Sequence, residues 1–154
     1  MGLRLFYFQK GVCKSMHNPK HKGALAQMEF MLRGMGMGMV VSEPYGDNAR
    51  YDCVVDNGRR LNKVQVKSTG AVHSPNTCHV NVGRHKVRGK KNGFVPYLMS
   101  EIDFVAVHLT VDGLWYIIPQ RKLVRRTQIL LDRRARKKDG PFRENLEAWD
   151  LLMK

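Results

Sequence analysis

Apolar residues recur along the chain at two periods, and the change of period divides it into a helix followed by a series of strands. Leu25, Met28, Leu32 and Met35 succeed one another at intervals of three, four and three. That spacing lines one face of an α-helix and predicts a helix over about 20–32 with this stripe buried. Gly34, Gly36 and Gly38 then end it. β-like segments follow at 39–42, 51–56 and 61–69, the last two joined by Asn57-Gly58, a pair that favours a tight hairpin. Further strands are expected at 77–82, 103–109 and 114–118, with Trp115, Tyr116, Ile117 and Ile118 reading as core. The tail from Phe142 reads as helical, with Phe142, Leu146, Trp149 and Met153 on one face. This order of elements implies an α/β sandwich.

Hairpin parity gathers polar chemistry on one surface. With Asn57 and Gly58 as the two loop residues, Asp52 faces Lys63 and Arg50 faces Gln65. Side chains alternate along a strand, so Asp52, Lys63, Gln65 and Lys67 share one face, while Cys53, Val55, Val64 and Val66 point to the other. Asp52 and Gln65 become diagonal neighbours, roughly 7–8 Å apart at the backbone, within reach of one ion. Glu29 lies on or beside the helix's apolar stripe, where a carboxylate is costly unless compensated, and a divalent cation would compensate it. Taken singly, Glu29 reads first as a carboxylate that snorkels at the stripe's edge or pairs with a surface base, and Asp52 as a charge on the hairpin's wet face. Their combination favours a metal site.

The run Gly23 to Glu29, then Tyr51-Asp52-Cys53-Val54-Val55-Asp56, then Val64-Gln65-Val66-Lys67, with the later segments 103–107 and 115–119, resembles the PD-(D/E)XK nuclease superfamily. Within it the chain is most similar to the branch that includes group I intron homing endonucleases. The resemblance implies a restriction-endonuclease-like α/β core, a central mixed β-sheet flanked by helices, and metal-dependent hydrolysis of phosphodiester bonds in duplex DNA by a site-specific homo-oligomer. It assigns Asp52, Gln65 and Glu29 to the metal, which is Mg²⁺ with Mn²⁺ as a substitute. The Val66 carbonyl would add another oxygen, and Lys67 would act beside the attacking water. Two departures stand out: Pro44 is eight residues before Asp52 instead of adjacent to it, and Gln65 replaces an acidic residue. With two carboxylates instead of three, metal affinity without DNA should be weak. A Holliday-junction-type resolvase and a non-catalytic basic nucleic-acid-binding module are the rival readings.

Charge agrees with a polyanionic partner. The 154 residues carry a net charge of +14 and suffice for one domain at 22–154 after a basic N-terminal arm at 1–21, in which Met16 is a possible start. From Asn57 through Ser100 there is no Asp or Glu but nine Lys and Arg. Arg84, Lys86, Arg88, Lys90 and Lys91, read as a mobile loop, are the expected phosphate contacts. A second basic run, 133–138, reads as the end of a helix. Aromatic residues do not interleave with these runs as single-strand binders often require, which favours duplex DNA over RNA.

Other chemistries are disfavoured. No apolar run is long enough to span a membrane, and three cysteines without C-x-x-C spacing suit a reducing, intracellular setting, cytoplasmic or nucleoid-associated. The Gly-Met alternation lacks the GK[ST] ending of a phosphate-binding loop. Cys13, His17 and His21, and Cys78 and His79 with His73 and His85, lack the short ligand spacings of zinc sites. Cys53 points to the buried face, where thiols are inert.

Overall fold

The computed structural model describes residues 18–46, 48–88, 91–133 and 140–154. Cys13, His17 and Met16 lie outside the described residues, as do residues 134–139 of the second basic run. Helix α1 spans Pro19–Gly36, longer at both ends than its stripe predicts. Pro19 initiates this helix: the Asn18 side chain accepts from the Lys20 N–H at 3.0 Å, and the missing proline N–H is not needed in the first turn. Gly38, at φ +84°, lets the chain turn out of the helix.

Five strands form a mixed sheet in the order β1 (Val40–Ser42), β2 (Cys53–Asp56), β3 (Leu61–Thr69), β8 (Phe104–Leu109) and β9 (Leu114–Pro119). Only β3 and β8 are parallel. Their connection carries strands where such crossovers usually carry a helix: β4 (Val72–Ser74), β5 (Thr77–Asn81), β6 (Arg84–Arg88) and β7 (Lys91–Val95). β4 and β5 join β10 (Gln128–Asp132) in a second, antiparallel sheet, and β6 pairs with β7 alone. The segment before the second basic run is therefore a strand, not a helix.

Two apolar layers sandwich the main sheet. On one face Ala26 and Phe30 of α1 pack with Cys53, Val55, Val64, Val66, Trp115, Trp149 and Leu152. On the other, Val105, Val107, Tyr116 and Ile118 pack against Cys78, Val80, Ile129 and Leu131 of the small sheet. A sheet thus covers the face where flanking helices were expected. β8 and β9, covered on both sides, are almost continuously apolar.

Three expectations change in detail. The α1 stripe faces outward: Leu25 is 46% exposed and Leu32 66%, whereas the buried residues are Ala26, Phe30 and Gly34. On the sheet-facing side Phe30 fills the apolar layer, while Ala26 and Gly34 permit close approach; a Cβ on Gly34 would meet Val41 at 3.0 Å. The tail forms two short 3₁₀ turns, Arg143–Asn145 and Trp149–Leu152, with Met153 exposed. Phe142 and Leu146 join one core layer and Trp149 the other, so the tail crosses the sheet's edge instead of laying down one helical face. Third, the β2–β3 loop has four residues, Asn57 to Arg60. Asn57 Oδ1 accepts from the N–H groups of Arg59 and Arg60 at 3.0 and 2.9 Å, and Gly58 takes φ +79°. Among the described residues no helix is long and apolar enough to cross a membrane.

Candidate active site

The longer loop slides the hairpin by an even number of residues, which changes partners and preserves faces. Cys53 pairs with Val64, so Asp52, one residue before β2, stands opposite Gln65 instead of diagonal to it. Asp52 still donates its N–H to Val64 O at 3.0 Å, after which its chain leaves the ladder. Its carboxylate then takes the N–H that a continuing strand would have paired: Val66 N donates to Oδ2 at 2.8 Å. Gln65 Nε2 donates to the same oxygen and, at 3.4 Å, to the Val66 carbonyl.

Lys67, two residues beyond Gln65 on the same face, is half-buried with Nζ 5.9 Å from the centre of the Tyr97 ring. Burial holds its ammonium pKa below the ordinary value, with the Asp52 charge opposing. Burial also raises the Asp52 pKa, against the Val66 N–H, the Lys67 charge and the Gln65 amide, while the Glu43 charge raises it further. Cys53 points into the apolar layer, and burial, with Asp52 and Glu43 nearby, pushes its thiol up to about 12.

Glu29 is not brought to this group. It rises from the face of α1 near His108, with Oε2 3.5 Å from His108 Nδ1 and a half-exposed side chain. His108 stacks on Trp115, ring centres 4.6 Å apart, on the helix-covered side of the sheet, opposite to Gln65 and Lys67. Gln27 and Glu43 stand beside Asp52 instead. Gln27 Nε2 donates to Glu43 Oε1 at 2.8 Å and to the Asp52 carbonyl at 3.1 Å. These three residues, with Pro44, Gly46, Ala49 and Tyr51, line a cleft of about 220 Å³. Their sequence signal was faint: Gln27 follows Ala26 on the truly buried helix face, and Glu43 follows a short edge strand.

The basic segment is a β-ribbon, not a loop. Arg84 at its root ion-pairs with Glu101 at 3.3 Å. Lys86 is exposed. Arg88 and Lys91 are register partners at the far end, their side chains and Lys90 lying outside the described residues. Among the described residues no three His, Cys, Asp or Glu side chains converge as a metal cluster, either here or around Cys78.

The model of the PD-(D/E)XK endonuclease family matches residues 17–152. The chain belongs to this family. As a PD-(D/E)XK endonuclease it shares its fold with I-Ssp6803I, a bacterial homing endonuclease. That likeness has a TM-score of 0.76 at 28% identity, over 88% of this chain and 93% of that one. A Holliday junction resolvase, Hjc from Archaeoglobus fulgidus, aligns with a TM-score of 0.46 at 16% identity, over 72% and 84% of the two chains. No curated protein sequence matches significantly. PD-(D/E)XK endonucleases are in general divalent-metal dependent. In this member Asp52, Gln65 and Lys67 lie on one face of one hairpin.

Proposed function

We propose that this PD-(D/E)XK endonuclease hydrolyses phosphodiester bonds in duplex DNA with Mg²⁺, replaceable by Mn²⁺, and that it does so site-specifically. The observation that carries this reading is the half-buried Asp52 carboxylate, hydrogen-bonded by Gln65 and the Val66 N–H, with Lys67 on the same face. The donor set fits a hard cation: both hydrogen bonds to Asp52 fall on Oδ2, which leaves Oδ1, the Gln65 amide oxygen and the Val66 carbonyl as oxygen donors. When bound, the ion supplies positive charge at the phosphate and lowers the pKa of water.

The chain's own residues do the rest. Gln65 and the Val66 N–H fix the Asp52 carboxylate, so an ion meets an oriented donor. Burial makes the Lys67 ammonium release its proton more readily than an exposed lysine, which suits Nζ to orient the attacking water and exchange a proton with it. Glu43, held by Gln27, adds negative charge near Asp52 and supports cation binding at the cleft. One such site cuts one strand, so cleavage of both strands requires a second copy in a homo-oligomer.

Supercoiled plasmid tests the reading. The wild type should nick it with Mg²⁺ and not with chelator, and Lys67→Ala should nick at least 100-fold more slowly at equal DNA occupancy. Equal rates for the two proteins would remove Lys67 from the mechanism.

A further inference from the structure

Strands β6 and β7 form a sheet of their own, and His85, Lys86, Gly93 and Phe94, the described residues next beyond its root, are exposed on both faces. A lone two-stranded ribbon is marginally stable in water, so its anchorage must lie at the root. Val82 and Gly83 donate their N–H groups to the Thr127 carbonyl at 2.9 and 3.1 Å, and Arg84 pairs with Glu101. Gly83 is required there because a Cβ would meet the Val95 carbonyl at 2.9 Å. Two residues after β7, Tyr97 is buried with its ring against Lys67, and its carbonyl accepts from Gln120 Nε2 at 2.7 Å. The ribbon is thus fastened at the edge of the candidate active site and projects from it.

Its exposed side chains differ from those of a solvated hairpin. On one face stands Lys86, opposite Gly93. On the other, the register partners His85 and Phe94 meet edge to face, ring centres 5.5 Å apart. Phe94 is 49% exposed and belongs to neither core layer. No carboxylate occurs from Asn57 through Ser100, so the ribbon contains nothing to repel phosphate.

We propose that the β6–β7 ribbon enters the major groove of duplex DNA beside the cleavage position, with His85 and Phe94 contacting base edges and Lys86 a phosphate. The inference rests on the duplex-endonuclease reading above and adds the means by which sequence is recognised. Two strands about 4.8 Å apart, with their side chains, fill a groove about 12 Å wide. The imidazole of His85 offers a donor and an acceptor to base edges, and Phe94 offers an apolar contact to a thymine methyl. Lys86 contributes affinity without sequence information.

The test is selection by binding from a library of randomised duplexes, with Ca²⁺ in place of Mg²⁺ so that recognition is read without cleavage. Wild type should enrich positions with base preferences of about fivefold or more, and His85→Ala/Phe94→Ala should flatten some of them below about twofold. His85→Gln/Phe94→Leu, which keeps a polar group and an apolar group, should shift the preferred bases instead. Lys86→Ala should weaken binding to all sequences alike and reduce the salt slope by about one. Circular dichroism checks that each variant folds. A wild-type library without preference, or the same preferences in the double alanine variant, overturns the proposal. Absence of plasmid nicking by the wild type would instead overturn the nuclease reading, and the binding selection would still decide the ribbon's role.

Discussion

Gln65 donates its amide to the same carboxylate oxygen of Asp52 that the Val66 N–H already occupies. An acidic residue at position 65 could not make this bond while ionised. The glutamine therefore exchanges a second negative charge for a hydrogen bond that holds the pair together. Gln65→Glu should reverse the exchange. Two carboxylates would face each other, so their shared pKa would rise above the unfolded values. Stability would then be retained at low pH and lost as pH rises through the raised pKa, by about 1–3 kcal/mol near pH 7. Mn²⁺ should restore the melting temperature and bind at least tenfold more tightly than to wild type. Calorimetric titration of the two metal-free proteins checks both outcomes, and equal affinities would refute the account.

Asp52 and Lys67 are held half-buried at a cost in stability. Burial raises the Asp52 pKa above its ordinary 3.8, so the folded state favours the protonated acid. That contribution is fully present below pH 3.8 and is lost as pH rises through the raised value. Burial lowers the Lys67 pKa below 10.5, so its contribution is fully present only above that pH and is lost as pH falls through the lowered value. Near neutrality both groups therefore weigh against folding. Asp52→Asn keeps an oxygen for the Val66 N–H and removes the charge. In the metal-free protein its melting temperature should exceed that of wild type by a few degrees at pH 7, with the advantage shrinking towards pH 4, while nicking is abolished. A variant no more stable at pH 7 than at pH 4, relative to wild type, would contradict this assignment of cost.

The hairpin's faces were legible in the sequence because parity survives an even slip: a four-residue loop in place of two moved Asp52 from Lys63 to Gln65 without turning any side chain over. Helix α1 was legible as an element but not in its orientation. Leu25, Met28, Leu32 and Met35 carry more apolar area than Ala26, Phe30 and Gly34, yet the helix buries Phe30 together with the small Ala26 and Gly34, the latter close against Val41. That inversion displaced the expected carboxylate, since Glu29 was read from the stripe that turned outward. The ribbon was missed because Arg84-His85-Lys86 and the glycines near it show no alternation of apolar and polar residues. A hairpin exposed on both faces has no buried period to display. Strand β10 was obscured in the same way by the basic run that follows it.

Gln27 and Glu29 sit two residues apart on α1 and point about 200° apart around it, so they separate the roles of the helix's two sides. Gln27 ties Glu43 to the Asp52 backbone through one amide nitrogen, and its removal would release both the Glu43 carboxylate and one wall of the cleft. Glu29 touches His108 on the helix-covered face of the sheet and reaches none of these atoms. Gln27→Ala should therefore slow plasmid nicking by about tenfold and raise the Mg²⁺ concentration needed for half-maximal rate, because the acidic groups around the ion are no longer held in place. Glu29→Ala should leave both quantities within about twofold, its loss confined to a half-exposed contact of under about 1 kcal/mol. Nicking rates against Mg²⁺ concentration for the two variants decide between the sides. A deep loss in Glu29→Ala with Gln27→Ala unimpaired would return the helical carboxylate to the metal and require α1 to rotate when DNA binds.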